Sequence, residues 1–218
     1  MITDEVLQAI HELYEKNQDY PVSGEEDFES RLALVRGSIQ KWKNEMNKGT
    51  LWRELFTPYT GVTTGSSTGS APSDWYLPGG SLWIGSLEYK FMRPEKARQT
   101  MKLDPSARIY WISGNMPSLT ININPSPGAG VSFDLDYYRT PFSPTTGAES
   151  TELEMSNPYF TVYDVLTHLY IDDEDTAQAD FYLNLANEQM TGMRLSNEST
   201  PFYQSNALDS FDEDGFGV

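Results

Sequence analysis

The run RIYWISGNMPSLTININPSPGAGVSFDLDYYR, residues 108–139, carries the clearest local pattern in the chain. Arg108-Ile109-Tyr110-Trp111-Ile112 has the β-branched and aromatic make-up of a strand, and Ser113-Gly114-Asn115-Met116-Pro117 that of a turn. Leu119, Ile121 and Ile123 then alternate with Thr120, Asn122 and Asn124. Pro125-Ser126-Pro127-Gly128 reads as a second turn. Beyond it Val131, Phe133, Leu135 and Tyr137 alternate with Ser132, Asp134, Asp136 and Tyr138. A period of two sends successive side chains to opposite faces. The stretch therefore predicts a three-stranded antiparallel meander with one apolar face and one wet face.

Working outward, Asp74-Trp75-Tyr76-Leu77-Pro78 opens the same β region, and Leu82 to Met92 reads as a strand pair or as one bent strand. Arg93 to Lys102 reads as a basic hairpin or a short helical turn. Residues 57–73 are mostly Thr, Ser, Gly and Pro, with no helix or strand period, and predict a long flexible loop.

Helical spacing dominates both flanks. Ile2, Val6, Ile10 and Leu13 predict a short first helix with Thr3 as its cap. Ser23-Gly24-Glu25-Glu26 fits a capping box. Phe28, Leu32, Val35, Ile39, Trp42 and Met46 follow as one apolar seam, stopped at Gly49. Trp52 and Phe56 read as core. Residues 142–157 are a linker. Phe160, Tyr163, Leu166, Leu169 and Tyr170 then start the return, and Asp172-Asp173-Glu174-Asp175 interrupts it. Thr176 caps a further helix faced by Ala179, Tyr182, Leu183, Ala186, Met190 and Met193. The expected fold class is α+β: a helical bundle (1–56 and 158–197) with an inserted antiparallel β module (74–141) and an extended acidic C-terminal arm (198–218).

Composition narrows the function. At 218 residues the chain can bury roughly 70% of its unfolded surface. It has no Cys, which excludes disulfides, thiol nucleophiles and Cys-ligated metals, and only His11 and His168 carry imidazole. The start lacks the basic and apolar segments of a signal peptide, and no apolar run reaches membrane-span length, so a soluble protein made in the cytoplasm is expected. Net charge is −17, which disfavours a dedicated nucleic-acid binder. Residues 151–218 hold 14 acids against Arg194 alone, so the charge is concentrated in the last third.

Motifs for chemistry are scarce. A phosphate loop, a nucleophile elbow and a helical His-Glu metal pair are all missing from the sequence. Neither Asp172–Asp175 nor Asp212-Glu213-Asp214-Gly215 has the spacing of a calcium loop. Asp134 and Asp136 share one strand face, which suits a carboxylate pair but equally an exposed polar face. His11 and His168 sit in amphipathic helices and read as packed or surface residues. Catalytic residues, cofactors and metals are not expected.

The order of features resembles the head-to-tail connector adaptors of tailed bacteriophages. Asp74-Trp75-Tyr76-Leu77-Pro78 is similar to their aromatic-Leu-Pro lead into the β region. Arg108 to Gly114 is similar to their aromatic strand ending in Gly, and Leu119 to Pro127 to the strand closed by Pro-x-Pro. Leu135-Asp136-Tyr137-Tyr138-Arg139-Thr140-Pro141 resembles their Tyr-Tyr-x-x-Pro strand, and His168 to Asp173 with the helix through Met193 their helical return. The resemblance spans most of residues 1–197 and rests on order, since no single motif carries chemistry.

The resemblance implies a virion protein of the neck, docked under the portal protein as a ring of twelve copies, bridging to a stopper, tail or nozzle protein. Viral DNA would pass through without sequence-specific binding, and no membrane is involved. Asp172, Asp173, Glu174 and Asp175 would then line the channel, where carboxylates repel phosphates. Residues 198–218 hold too few apolar residues to fold alone. Phe202, Tyr203, Phe211 and Phe216 are expected to anchor the arm in pockets of a neighbouring subunit or the portal. Two other readings stand beside this one: a tail-completion or decoration protein, and a carbohydrate-binding or hydrolytic β module using Trp75, Trp83 and Trp111 as stacking platforms.

Overall fold

A computed structural model describes residues 1–15 and 18–198. The element order is α1 (Thr3–Tyr14), α2 (Glu26–Asn44), β1 (Phe56–Val62), β2 (Thr68–Ser70), β3 (Trp75–Ile84), β4 (Leu87–Phe91), α3 (Pro94–Leu103), β5 (Ile109–Asn115), β6 (Ser118–Asn124), β7 (Ser132–Arg139), α4 (Tyr159–Asp172) and α5 (Thr176–Glu198). The chain separates into a helical unit, Met1–Glu54 with the return from Pro141, and a β unit, Leu55–Thr140.

The expected architecture, a helical bundle with an inserted antiparallel β module, is overturned by the sheet. It has seven strands in the order β1-β7-β3-β4-β5-β6-β2. It is mixed, because β4 and β5 pair in parallel while the other strand pairs are antiparallel. Parallel neighbours need a crossover, and α3 supplies it. Pro94 opens that helix at a position where its missing N–H costs nothing. An antiparallel bridge from Thr63 to Gly69 links the ends of β1 and β2, so the sheet curls nearly closed as a barrel. It is built round its own core of Trp75, Leu82, Tyr89, Tyr110, Ile121, Ile123, Phe133, Leu135 and Tyr137.

The meander is corrected too. β5 and β6 form the expected hairpin, with Ile112 opposite Ile121. β7 does not pair with β6; it lies between β1 and β3. The segment after β6 is held by the 63–68 region instead, where Gly128 N–H donates to Ser66 O at 2.9 Å. Residues 57–73 are likewise not a flexible loop but contain β1 and β2. Their glycines make room for a ring: a Cβ on Gly61 would lie 2.3 Å from Phe133 Cζ, and one on Gly69 2.7 Å from Phe133 Cε1. Leu82 to Met92 is a strand pair turned at Gly85, which takes the left-handed conformation (φ 59°).

In the helical unit α1, α2 and α5 pack on α4. The α2 seam is buried as expected: Phe28, Leu32, Val35, Ile39, Trp42 and Met46 are all at most 4% exposed. Gly49 ends it in the left-handed region. Trp52 is core, stacked on Trp42 at 5.4 Å and donating Nε1–H to Trp42 O at 3.0 Å. The caps shift slightly. Thr3 is the first helical residue and its hydroxyl donates to Thr151 O. Glu25, not Ser23, precedes α2 and accepts from Val22 N–H. Asp175, not Thr176, caps α5 by accepting from Gln178 N–H.

Glu45 is a buried carboxylate in this unit. Burial pushes its pKa up from the ordinary 4.5, but hydrogen bonds and charge from Lys48 and Arg194 outweigh burial, so it lies below that value. A depressed folded pKa gives stability that is present above about pH 4.5 and is lost as pH falls through the lower value. The stability gap between wild type and Glu45→Gln, read from urea midpoints, is expected to be widest at pH 7 and to shrink towards pH 3. A gap that is constant with pH would remove Glu45 from the acid response.

Candidate interaction surface

α4 and α5 form a helix hairpin whose corner is the acidic run. Asp172 ends α4, Asp173 follows, Glu174 takes the left-handed conformation at φ 62°, and Asp175 immediately precedes α5. All four acids are exposed. Tyr14 O–H donates to Asp173 Oδ2 at 2.6 Å, and Asp175 serves as the cap. Among the described residues the side chains of Asp172 and Glu174 have no hydrogen-bond or ionic partner. Asp172 and Asp173 sit at a helix C-terminus, where the helix dipole disfavours negative charge, and no basic residue lies in that last turn. The corner therefore works against helix stability, a conflict that is common at functional surfaces.

Beside it runs a ladder of aromatic rings absent from the sequence reading. Tyr159 meets Tyr163 at 6.0 Å, Tyr163 meets Tyr182 at 6.1 Å, and Tyr182 stacks on Tyr170 at 5.5 Å and 5°. Tyr170 meets Tyr14 edge-on at 5.3 Å, and Phe181 meets Tyr182 edge-on at 5.2 Å. Tyr159, Ile171 and Phe181 are 47%, 55% and 55% exposed. Burial, with Asp173 hydrogen-bonded to it, pushes the Tyr14 hydroxyl well above its ordinary range. Burial raises Tyr170 and Tyr182 as well, so these rings keep their protons near neutral pH. The sequence signal was present: Tyr159, Tyr163 and Tyr170 fall at helical spacing. Spacing alone could not separate them from core, because α4 is apolar on nearly every side.

One segment of the β unit is basic. Residues 90–108 hold six bases against two acids, which stands out in a chain of net −17. Arg98 and Lys102 lie one turn apart on α3, both exposed, and among the described residues neither makes an ion pair. Leu103 beside them is 88% exposed. The α2 bases differ: Arg31 pairs with Glu15 and Lys41 with Asp164 inside the helical unit.

The remaining candidates disperse. His11 is buried, with Nδ1 facing Arg31 at 3.1 Å and Nε2 facing Gln18 O at 2.9 Å, a packed histidine. His168 is exposed on α4. Asp134 and Asp136 lie on the outer side of β7. Asp134 accepts from Thr60 at 2.6 Å, and burial and then Asp134 raise Asp136. Trp75 stacks on Tyr137 at 5.3 Å inside the barrel and is 5% exposed, so it cannot serve as a sugar platform. Trp111 is only partly exposed, while Trp83 is 43% exposed on β3.

A cleft of about 480 Å³ in the helical unit is lined by Ile2, Asp4, Tyr20, Val22, Phe28 and Glu149 among others. Its polar groups bond one another: Tyr20 to Asp4 at 3.1 Å and Ser23 to Glu149 at 2.8 Å. Among the described residues no cluster of three or more metal-ligating side chains occurs, and no helix is long and apolar enough to cross a membrane. Phe202, Tyr203, Phe211 and Phe216 lie outside the described residues.

Compared with models of known protein families the chain matches none, and compared with curated proteins it also finds no match.

Proposed function

We propose that the chain is a non-enzymatic structural subunit of a tailed-phage neck, one copy in an adaptor ring that docks on the portal, joins capsid to tail and surrounds the DNA channel. The resemblance in motif order motivates the reading. The observation that carries it is the α4–α5 corner, where four exposed acids stand beside a partly exposed aromatic ladder. Aromatic rings set on rigid helices suit protein contact. Four clustered carboxylates, more than the bases that could meet them, suit a wall that DNA phosphates must slide past without sticking.

The test is assembly. Mixed with rings of its portal, the protein is expected to add in a stoichiometric ring visible by native mass or imaging. A protein that stays free in the presence of portal would sink the proposal. A second measurement addresses the channel: in a map of the assembled neck, Asp172, Asp173, Glu174 and Asp175 are expected to lie at the inner rim of the ring, where the seam between copies reaches the channel. Finding all four on the outer surface would reject the lining role.

A further inference from the structure

Ring closure by identical subunits needs two different patches on one chain, because a head-to-tail contact joins one surface to another. The chain presents two that are opposite in charge. One is the aromatic ladder with its acidic corner on α4 and α5. The other is the outer face of α3, with Arg98, Lys102 and the exposed Leu103.

We infer that α3 of one copy docks against the α4–α5 ladder of the next copy, setting Arg98 and Lys102 against Asp172 and Glu174 and laying Leu103 on the exposed rings. The inference rests on the ring reading and names the contact that closes it. Charge complementarity selects the occupant. Among the described residues Arg98 and Lys102 have no acid partner, and Asp172 and Glu174 have no base. A second copy satisfies both with one interface. Cationic side chains also settle favourably over an aromatic face, and Tyr159 at the end of the ladder is 47% exposed. Phe181 gives Leu103 apolar surface next to the acids.

The test uses charge reversal on portal-templated rings. Arg98→Glu with Lys102→Glu is expected to cut ring formation at least roughly tenfold, as is Asp172→Lys with Glu174→Lys. All four are exposed, so circular dichroism is expected to match wild type. Mixed in equal amounts, the two variants are expected to recover rings in alternating order, since each reversed face then meets its complement. Phe181→Ser is expected to weaken assembly without altering the fold. Wild-type ring yield from either charge variant, or failure of the mixture to recover, overturns the assigned contact while leaving the ring reading intact. Failure of the wild type to form rings on its portal overturns the ring reading itself.

Discussion

Replacing Gly61 with valine is expected to cost the β unit about 3 kcal/mol, the upper part of the range for overpacking a filled core. Gly61 lies on β1 opposite Phe133 of β7. A Cβ there would stand 2.3 Å from Phe133 Cζ, 2.7 Å from Cε2 and 2.9 Å from Tyr59 Cε1. None of these contacts is tolerable, so a ring or a strand must move. The Phe133 ring has little freedom, being 1% exposed and wedged between Gly61, Gly69 and Tyr59. The strand has little freedom either, because β1 pairs with β7 at seven consecutive positions.

The remedy is specific. Phe133→Leu alone leaves a cavity and destabilises, yet added to Gly61→Val it is expected to recover at least about 1 kcal/mol, the mark of coupled neighbours. Urea unfolding followed by near-ultraviolet circular dichroism reads both. Strict additivity of the two losses would show that Gly61 does not make room for that ring.

This pair explains why the sequence misled at residues 57–73. Glycine there reads as a turn former, and turns between hydrophobic runs read as loops. Its reason lies some 70 residues away in the chain, in the ring of Phe133. No local pattern reports that. The strands that were legible, β5 and β6, announce themselves by alternation. Alternation fixes which face a side chain takes but not which strand lies alongside. Hence β7 was legible as a strand and not as the partner of β1 and β3, and the meander was drawn instead of a barrel.

The helices divide in the same way. α2 was legible because its apolar residues make one narrow seam over polar surroundings. In α4, Phe160, Val162, Val165 and Leu166 are buried while Tyr159, Tyr163 and Tyr170 line the ladder. Both sets are apolar, so spacing merged a core face with a surface face. The acidic corner was legible as composition, and its clash with the α4 dipole became visible only with the helix end placed.

Lys41→Met is expected to destabilise the helical unit by about 2 kcal/mol, less than the 3–5 kcal/mol typical for breaking a fully buried ion pair. Lys41 on α2 donates Nζ–H to Asp164 Oδ1 on α4, where the two side chains are 50% and 3% exposed. The asymmetry sets the sign of each change. Removing Lys41 leaves a carboxylate in the core with no cation, and α4 cannot turn it to water without withdrawing Phe160 and Val165. Removing the acid instead frees a half-exposed lysine, which reaches solvent by rotating its stem and gives up only a screened interaction. Asp164→Leu is therefore expected to cost under about 1 kcal/mol, and the double change Lys41→Met with Asp164→Leu to lie near wild type. Urea midpoints of the four proteins complete the cycle. Equal losses from the two single changes would mean that burial of Asp164 is not what makes Lys41 necessary. Because α4 also carries the aromatic ladder, Lys41→Met is expected to lower ring assembly in parallel with stability, whereas Arg98→Glu with Lys102→Glu lowers assembly alone.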